Sequence, residues 1–96
     1  MIEEVWVMTV RPGMDWVGAI ARPFLQAAER HGIKLQWLVP DCGATGKAIA
    51  VFEWPSHGER EKFASAYPDD FRAIFPKEKD HFELSATEHY YYRVVE

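Results

Sequence analysis

Two short segments of this chain are apolar on both parities, and that pattern restricts the available folds more than any other feature. In Glu3 to Val10, Val5 and Val7 fall on one side of an extended chain, and Trp6, Met8 and Val10 on the other. In Lys47 to Trp54, Ile49 and Val51 oppose Ala48, Ala50, Phe52 and Trp54. β-Branched and aromatic residues favour strands, and a strand with two apolar faces needs cover on both. Between these segments, Ile33 to Val39 alternates cleanly: Ile33, Leu35, Trp37 and Val39 face one way, Lys34 and Gln36 the other. That pattern predicts a half-exposed edge strand. The chain therefore calls for a sheet whose central strands are covered twice and whose margin is not.

The remaining segments read as helices, turns and a last strand. Pro12-Gly13 ends the first strand. Asp15 suits an N-cap, and Trp16, Ile20, Phe24, Ala27 and His31 form one helical stripe that Gly32 stops. Pro23 lies inside that helix and predicts a kink or break near Arg22, because proline lacks the amide and crowds the preceding turn. Pro40 to Gly46 reads as the turn of a hairpin. Ser56-His57-Gly58-Glu59 has capping-box spacing and opens a second helix carrying Phe63, Ala66 and Tyr67. Pro68 starts a short turn with Phe71, Ile74 and Phe75, closed by Pro76; Lys77 to Asp80 reads as a solvated loop. Leu84 to Val95 predicts the last strand, with Tyr90, Tyr92 and Val94 on one parity and His89, Tyr91 and Arg93 on the other.

The order β-α-β-β-α-β is the split βαβ, or ferredoxin-like, arrangement: an α+β fold with a four-stranded antiparallel sheet, here one domain over residues 1–96. Helices cover one sheet face. The other carries Val5, Val7, Ile49 and Val51, and a homodimer through sheet faces is the economical cover.

Charge and cysteine usage narrow the partners. The net charge is -4, and the eleven Lys and Arg are interleaved with fifteen Asp and Glu. No basic stripe appears, which argues against a nucleic-acid partner. The single cysteine, Cys42, excludes an internal disulfide. No charged-then-apolar leader and no bilayer-length apolar run is seen, so no membrane partner and a cytoplasmic location are expected.

The opening Met1-Ile2-Glu3 strand running into Val10-Arg11-Pro12-Gly13, the long first helix, and the hairpin leading to Phe52-Glu53-Trp54 and Ser56-His57-Gly58-Glu59-Arg60-Glu61 carry a resemblance. The chain resembles the dimeric α/β-barrel superfamily, in its NIPSNAP-like and antibiotic-monooxygenase-like branches. The resemblance implies a ligand pocket between sheet and helices, and a chemistry drawn from cofactor-independent oxygenation, cyclisation, isomerisation or haem handling. Several members use a His just after the second helix. Here that segment reads Tyr67-Pro68-Asp69-Asp70-Phe71, with no His.

The candidate chemistry is sparse. His57 opens the second helix, where the dipole disfavours imidazolium and suits a neutral base or a ligand; an exposed first-turn residue is the commoner role for a lone His there. His81 precedes the last strand, within reach of a pocket mouth. His89 shares a parity with Tyr91 and Arg93, toward a dimer or solvent. His31 ends the first helix, where a cation suits the dipole. The four His show no metal-ligand spacing, so no metal is expected. Cys42 has no Cys partner or adjacent His and reads as an incidental thiol. Gly43 to Lys47 brushes against the phosphate-loop pattern but lacks its spacing and its helix. Asp69 and Asp70 adjoin Tyr67, as pocket-rim acid or base or simply as helix caps.

The aromatics carry more. Trp6, Phe52, Trp54, Tyr90 and Tyr92 share parity within their strands, and Trp16, Phe24, Phe63, Phe71 and Phe75 oppose them from the helices. Large rings around Ala48, Ala50 and Ala66 either fill a core or leave a concave apolar site. The leading expectation is a small enzyme acting on an apolar aromatic or polyketide-like molecule, without metal, nucleotide or other cofactor. Tyr67, Asp70 and His81, with His57 behind, would move protons. Trp6, Trp16, Phe52, Trp54, Phe63, Tyr90 and Tyr92 would hold the ligand. The alternatives are a non-catalytic dimeric binding or accessory module and, more weakly, a haem-binding protein with an axial His.

Overall fold

The computed structural model describes residues 1–41 and 46–95. Strands β1 (Ile2–Val10), β2 (Lys34–Leu38), β3 (Lys47–Trp54) and β4 (Phe82–Arg93) form one antiparallel sheet in the order β2-β3-β1-β4. This is the ferredoxin-like order, and it puts the two doubly apolar segments at the centre. β1 and β3 pair from Ile2↔Trp54 to Thr9↔Lys47. β2 lies at the margin with alternating exposure, as its one-sided pattern requires. Cys42 and the turn around it lie outside the described residues.

The first helical segment resolves its proline without a kink inside an α-helix. Asp15 Oδ1 accepts from the Gly18 amide at 3.0 Å. A π-helical turn, Val17–Ala21, follows, and the Arg22 amide donates back to the Val17 carbonyl. Helix α1 (Arg22–Arg30) then begins afresh with Pro23 in its first turn, where the missing amide breaks no bond. Gly32, at φ 67°, ends it. Phe24, Ala27 and Ala28 are its buried face, continued by Ile20 and Ala21 of the π turn.

Helix α2 (His57–Ala64) is capped as its sequence predicts: Ser56 Oγ accepts from the Glu59 amide at 3.2 Å. Helix α3 (Asp69–Arg72), a 3-10 turn (Phe75–Lys77) and helix α4 (Glu78–His81) follow. The expected solvated loop Lys77 to Asp80 is therefore helical. Pro76 does not close a turn but sits early in the 3-10 segment, where its missing amide again costs nothing.

β4 starts at Phe82, two residues before the predicted position, and it is not a regular strand. Val10 pairs with Phe82 and Thr9 with Glu83, but Val7 pairs with Glu88. β4 advances five residues there while β1 advances two. An odd excess turns every later side chain to the opposite face. Beyond the bulge, His89 and Tyr91 share the helix-covered face with Trp6 and Glu4, while Tyr90 and Tyr92 share the open face with Val5 and Glu3. The expected inward placement of Tyr90 and Tyr92 is thus reversed, and so is the outward placement of His89.

The core lies between the central strands and the helices, where Ile20, Ala27, Ala48, Phe71 and Phe82 are almost wholly buried. The open face presents Val5, Val7, Ile49 and Val51, together with Tyr90 at 42% and Tyr92 at 52% exposure. Among the described residues, no helix is long and apolar enough to cross a membrane.

Candidate functional site

A cavity of about 410 Å³ lies between the sheet and the helices. Trp6 and Met8 of β1, Ala50, Phe52 and Trp54 of β3 and Trp37 of β2 form its floor. Phe24, Phe63, Tyr67, Phe71 and Phe75 form its roof. The space follows from the residue sizes: Ala50 stands where a larger strand residue would meet the helices. The roof rings brace one another edge to face, Phe63 on Phe71 at 5.0 Å and Tyr67 on Phe75 at 4.8 Å between centroids. Such mutual packing holds the wall in shape.

Polar groups enter this apolar wall at two places. At one end, Glu4 is only 3% exposed. Its Oε1 accepts from Trp54 Nε1 at 3.0 Å, and its Oε2 from Arg60 Nη2 at 3.0 Å, His89 Nε2 at 2.7 Å and Tyr91 Oη at 3.2 Å. A carboxylate only accepts, so His89 carries its proton on Nε2 toward Glu4. The His89 ring lies flat on Trp6, 3.6 Å between centroids. Burial and the Glu4 carboxylate push the Tyr91 phenol up. Four donors around one buried carboxylate supply what water would otherwise give.

At the other place, Glu78 and Tyr67 share the lining. Burial pushes the Glu78 carboxyl up to about 7. Burial also pushes the Tyr67 phenol up, with Arg60 opposing and the carboxylates of Glu4 and Glu78 adding to it. A carboxyl balanced near neutrality in the same wall as a phenol is equipped to take and return a proton. Two further lining groups, Trp37 Nε1 and Thr87 Oγ1, are buried without a hydrogen-bond partner among the described residues.

Of the residues singled out in the sequence, Trp6, Phe52, Trp54, Phe63 and Tyr67 line the cavity. Trp16 stands behind the wall, against Trp37 at 5.5 Å and Phe82 at 6.2 Å. Tyr90 and Tyr92 lie on the far side of the sheet because of the bulge. Asp70 is turned away: it accepts from Arg30 Nε at 3.0 Å and His31 Nε2 at 3.1 Å, tying α3 to α1. Burial raises its carboxyl, but those two partners win and hold it below its ordinary value. His81 Nδ1 donates to the Lys77 carbonyl at 2.8 Å, at the end of the preceding 3-10 turn. His57 meets the edge of the Tyr91 ring at 5.4 Å, outside the wall. The expected proton-transfer set of Tyr67, Asp70, His81 and His57 therefore contracts to Tyr67 at this cavity, and no His lines it. Among the described residues, no three His, Cys, Asp or Glu side chains converge as a metal site needs.

Glu4, Arg60, Glu78, Trp37 and Thr87 escaped the sequence reading as site residues. Glu4 had a signal: it shares the parity of Trp6 and Met8, so a carboxylate was written into the covered face of a central strand. Glu78 had none, being one charge in a charged run.

No protein-family profile matches the sequence, and no curated protein matches it. Solved structures do match its fold. The crystal structure of an Agrobacterium tumefaciens protein matches with a TM-score of 0.81 at 13% identity, over 99% of this chain and 94% of that one. A NIPSNAP family protein from the same organism matches with a TM-score of 0.74 at 18% identity, over 99% of this chain and 93% of that one. The fold is that of NIPSNAP proteins. An antibiotic biosynthesis monooxygenase shares it too, with a TM-score of 0.69 at 12% identity over 100% of each chain. The ferredoxin-like fold and the NIPSNAP and antibiotic-monooxygenase resemblance read from the sequence therefore hold at the level of the fold. At these identities fold is what is shared, and chemistry rests on the cavity itself.

Proposed function

We propose that this chain is a small enzyme of the cofactor-independent monooxygenase, cyclase or isomerase type, acting on an apolar aromatic or polyketide-like molecule between sheet and helices. The whole chain, residues 1–96, acts as one domain, in the cytoplasm. The observation that carries this reading is the aromatic cavity into which one carboxyl, Glu78, enters with its titration near neutrality. In the proposed step the Glu78 carboxylate takes a proton from an acidified C–H or O–H of the substrate. The Tyr67 phenol donates a hydrogen bond to the oxygen on which charge builds. The proton then returns from Glu78 to substrate or water.

Proton exchange at an enolisable aromatic ketone isolates this step. Wild-type protein is expected to speed deuterium uptake into the methyl group of 2-acetonaphthone by about 100-fold or more over buffer. The rate should rise with pH through about 7, as Glu78 loses its proton. Glu78→Gln and Tyr67→Phe should each lose at least about tenfold. Tight binding of the ketone with exchange at the buffer rate would instead support the non-catalytic binding module. The three other candidates drawn from the sequence point that way, since Asp70, His81 and His57 all lie outside the cavity. A haem reading gains nothing here, because no His lines the cavity to serve as axial ligand.

We further propose a homodimer through the open sheet face. Val5, Val7, Ile49 and Val51 form an apolar centre, and Tyr90 and Tyr92 extend it over β4. Aromatic and β-branched side chains on a flat face suit sheet-to-sheet packing. Native mass spectrometry should give twice the 11.1 kDa chain mass. Val51→Lys places an ammonium in that centre and should yield monomers. A wild-type protein that is monomeric at micromolar concentration contradicts the pairing.

A further inference from the structure

We propose that the cavity selects an uncharged, flat aromatic ligand carrying an acceptor oxygen. Trp37 Nε1 is the donor that reads that oxygen, and the Thr87 hydroxyl meets a second polar atom across the cavity. This rests on the reading of the cavity as a small-molecule site and adds the chemistry it selects.

Among the described residues, the buried side-chain polar atoms that find no partner are Trp37 Nε1 and Thr87 Oγ1, and both line this cavity. Buried polar groups in folded proteins are nearly always paired, so two orphans in one wall ask for an occupant. Their chemistry is specific. An indole N–H only donates, so a molecule packed against Trp37 must offer an acceptor there or strip the donor of its hydrogen bond. A hydroxyl both donates and accepts and tolerates either group.

The sheet sets the spacing. Trp37 pairs with Ala50, Ala50 with Trp6, and Trp6 with His89, so these four stand in one row across the sheet. Thr87 lies two residues from His89, on β4. Three strand spacings of roughly 4.8 Å separate the backbones of β2 and β4 by about 14 Å. Ala50 is the smallest member of the row and lies between two indoles. The space above it suits a flat ring system bridging Trp37 and the β4 side.

The charges in the wall disfavour an anion, and the Trp37 donor disfavours a cation. Arg60 is engaged by Glu4 at 3.0 Å and Glu61 at 3.3 Å, which leaves an anionic ligand no uncommitted cation in the lining. Glu78 would repel an anion when ionised. A cation would be drawn by Glu78 and the ring faces, but it brings no acceptor to the Trp37 hydrogen and meets it with like charge.

The test is a set of dissociation constants for naphthalene, 2-acetonaphthone, 2-naphthoate and trimethyl(2-naphthyl)ammonium. On wild-type protein, 2-acetonaphthone should bind about tenfold more tightly than naphthalene, the effect of one well-made hydrogen bond. Trp37→Phe keeps a ring and removes the donor. It should bring that ratio to about one, whatever the smaller ring does to the binding of naphthalene itself. 6-Acetyl-2-naphthol should gain further on wild type and lose that gain in Thr87→Val. A wild-type protein with no preference for the ketone, or with the carboxylate or the ammonium bound tightest, overturns the inference and needs no variant to do so. An unchanged preference in Trp37→Phe overturns the role of Trp37. If naphthalene binds without any oxygen preference, the cavity reading stands and this inference falls; if no probe binds, both fall.

Discussion

Glu4→Ala is expected to be among the most damaging single substitutions in this protein, lowering stability by about 3–5 kcal/mol in urea denaturation. The carboxylate is the hub of one end of the cavity, and the loss is not confined to its own contacts. Arg60, with its side chain only 17% exposed, keeps a single partner in the exposed Glu61. Trp54 Nε1 loses its acceptor inside the core, and His89 and Tyr91 lose the atom that aims them. Leaving buried donors unmet costs more than the intact pairs contribute, which is why removing one partner is so expensive. Glu4→Gln separates shape from charge: it still accepts from Trp54 and should cost about 1–3 kcal/mol. Glu4→Leu combined with Arg60→Met removes both charges together and should recover part of the loss of Glu4→Ala. A cost below about 1 kcal/mol for Glu4→Ala would mean that the four donors do not depend on this carboxylate, against the geometry described.

The sequence was legible where side-chain periodicity and local capping decide the structure. The two-sided apolar pattern of β1 and β3 located the sheet centre, and the one-sided pattern of β2 located its edge. Ser56 and Asp15 each cap what their spacing implied. Pro23 marked the place where the helix changes its hydrogen bonding: of the kink or break expected near Arg22, the structure has the break, a π turn followed by a fresh α-helix from Arg22.

The misreadings have a common physical form: they depend on partners far along the chain. Counting parity along Leu84 to Val95 assumes an unbroken ladder, and the bulge beside Val7 breaks it. The same miscount sent Tyr90 and Tyr92 into the cavity and His89 out of it. Asp70 looked like a pocket-rim carboxylate beside Tyr67, but Arg30 and His31, about forty positions earlier, claim it. Glu4 was hidden for another reason. It lay on the covered parity of its strand, but a lone acidic residue between apolar neighbours has no visible partner until β3, α2 and β4 bring Trp54, Arg60, His89 and Tyr91 around it.

Glu78 gives the second large expectation, a pH dependence of stability with a definite sign. The folded protein holds the proton on this carboxyl up to about 7, against an ordinary value of 4.5. Between those values the folded state binds more protons than the unfolded chain, so stability falls as pH rises. The contribution is whole below about 4.5 and its loss is complete above about 7. A shift of this size corresponds to at most about 3 kcal/mol, and partial exposure reduces that to about 2 kcal/mol. Asp70 acts in the opposite sense and in another window: its carboxyl is held below 3.8, so its contribution is lost only as pH falls through that lower range. Subtracting curves isolates Glu78. Glu78→Gln should match wild type near pH 4, gain on it steadily, and exceed it by about 2 kcal/mol at pH 8 in denaturation midpoints. The same carboxylate is the proposed proton acceptor, so the pH at which the stability loss levels off, about 7, should be the midpoint of the rise in ketone exchange. A flat difference curve would place Glu78 in water and remove the acid–base group from the cavity. A difference curve that climbs from about 4.5 and levels off near 7, with no matching rise in exchange, would leave the carboxyl buried but idle, and would favour the binding module over the enzyme.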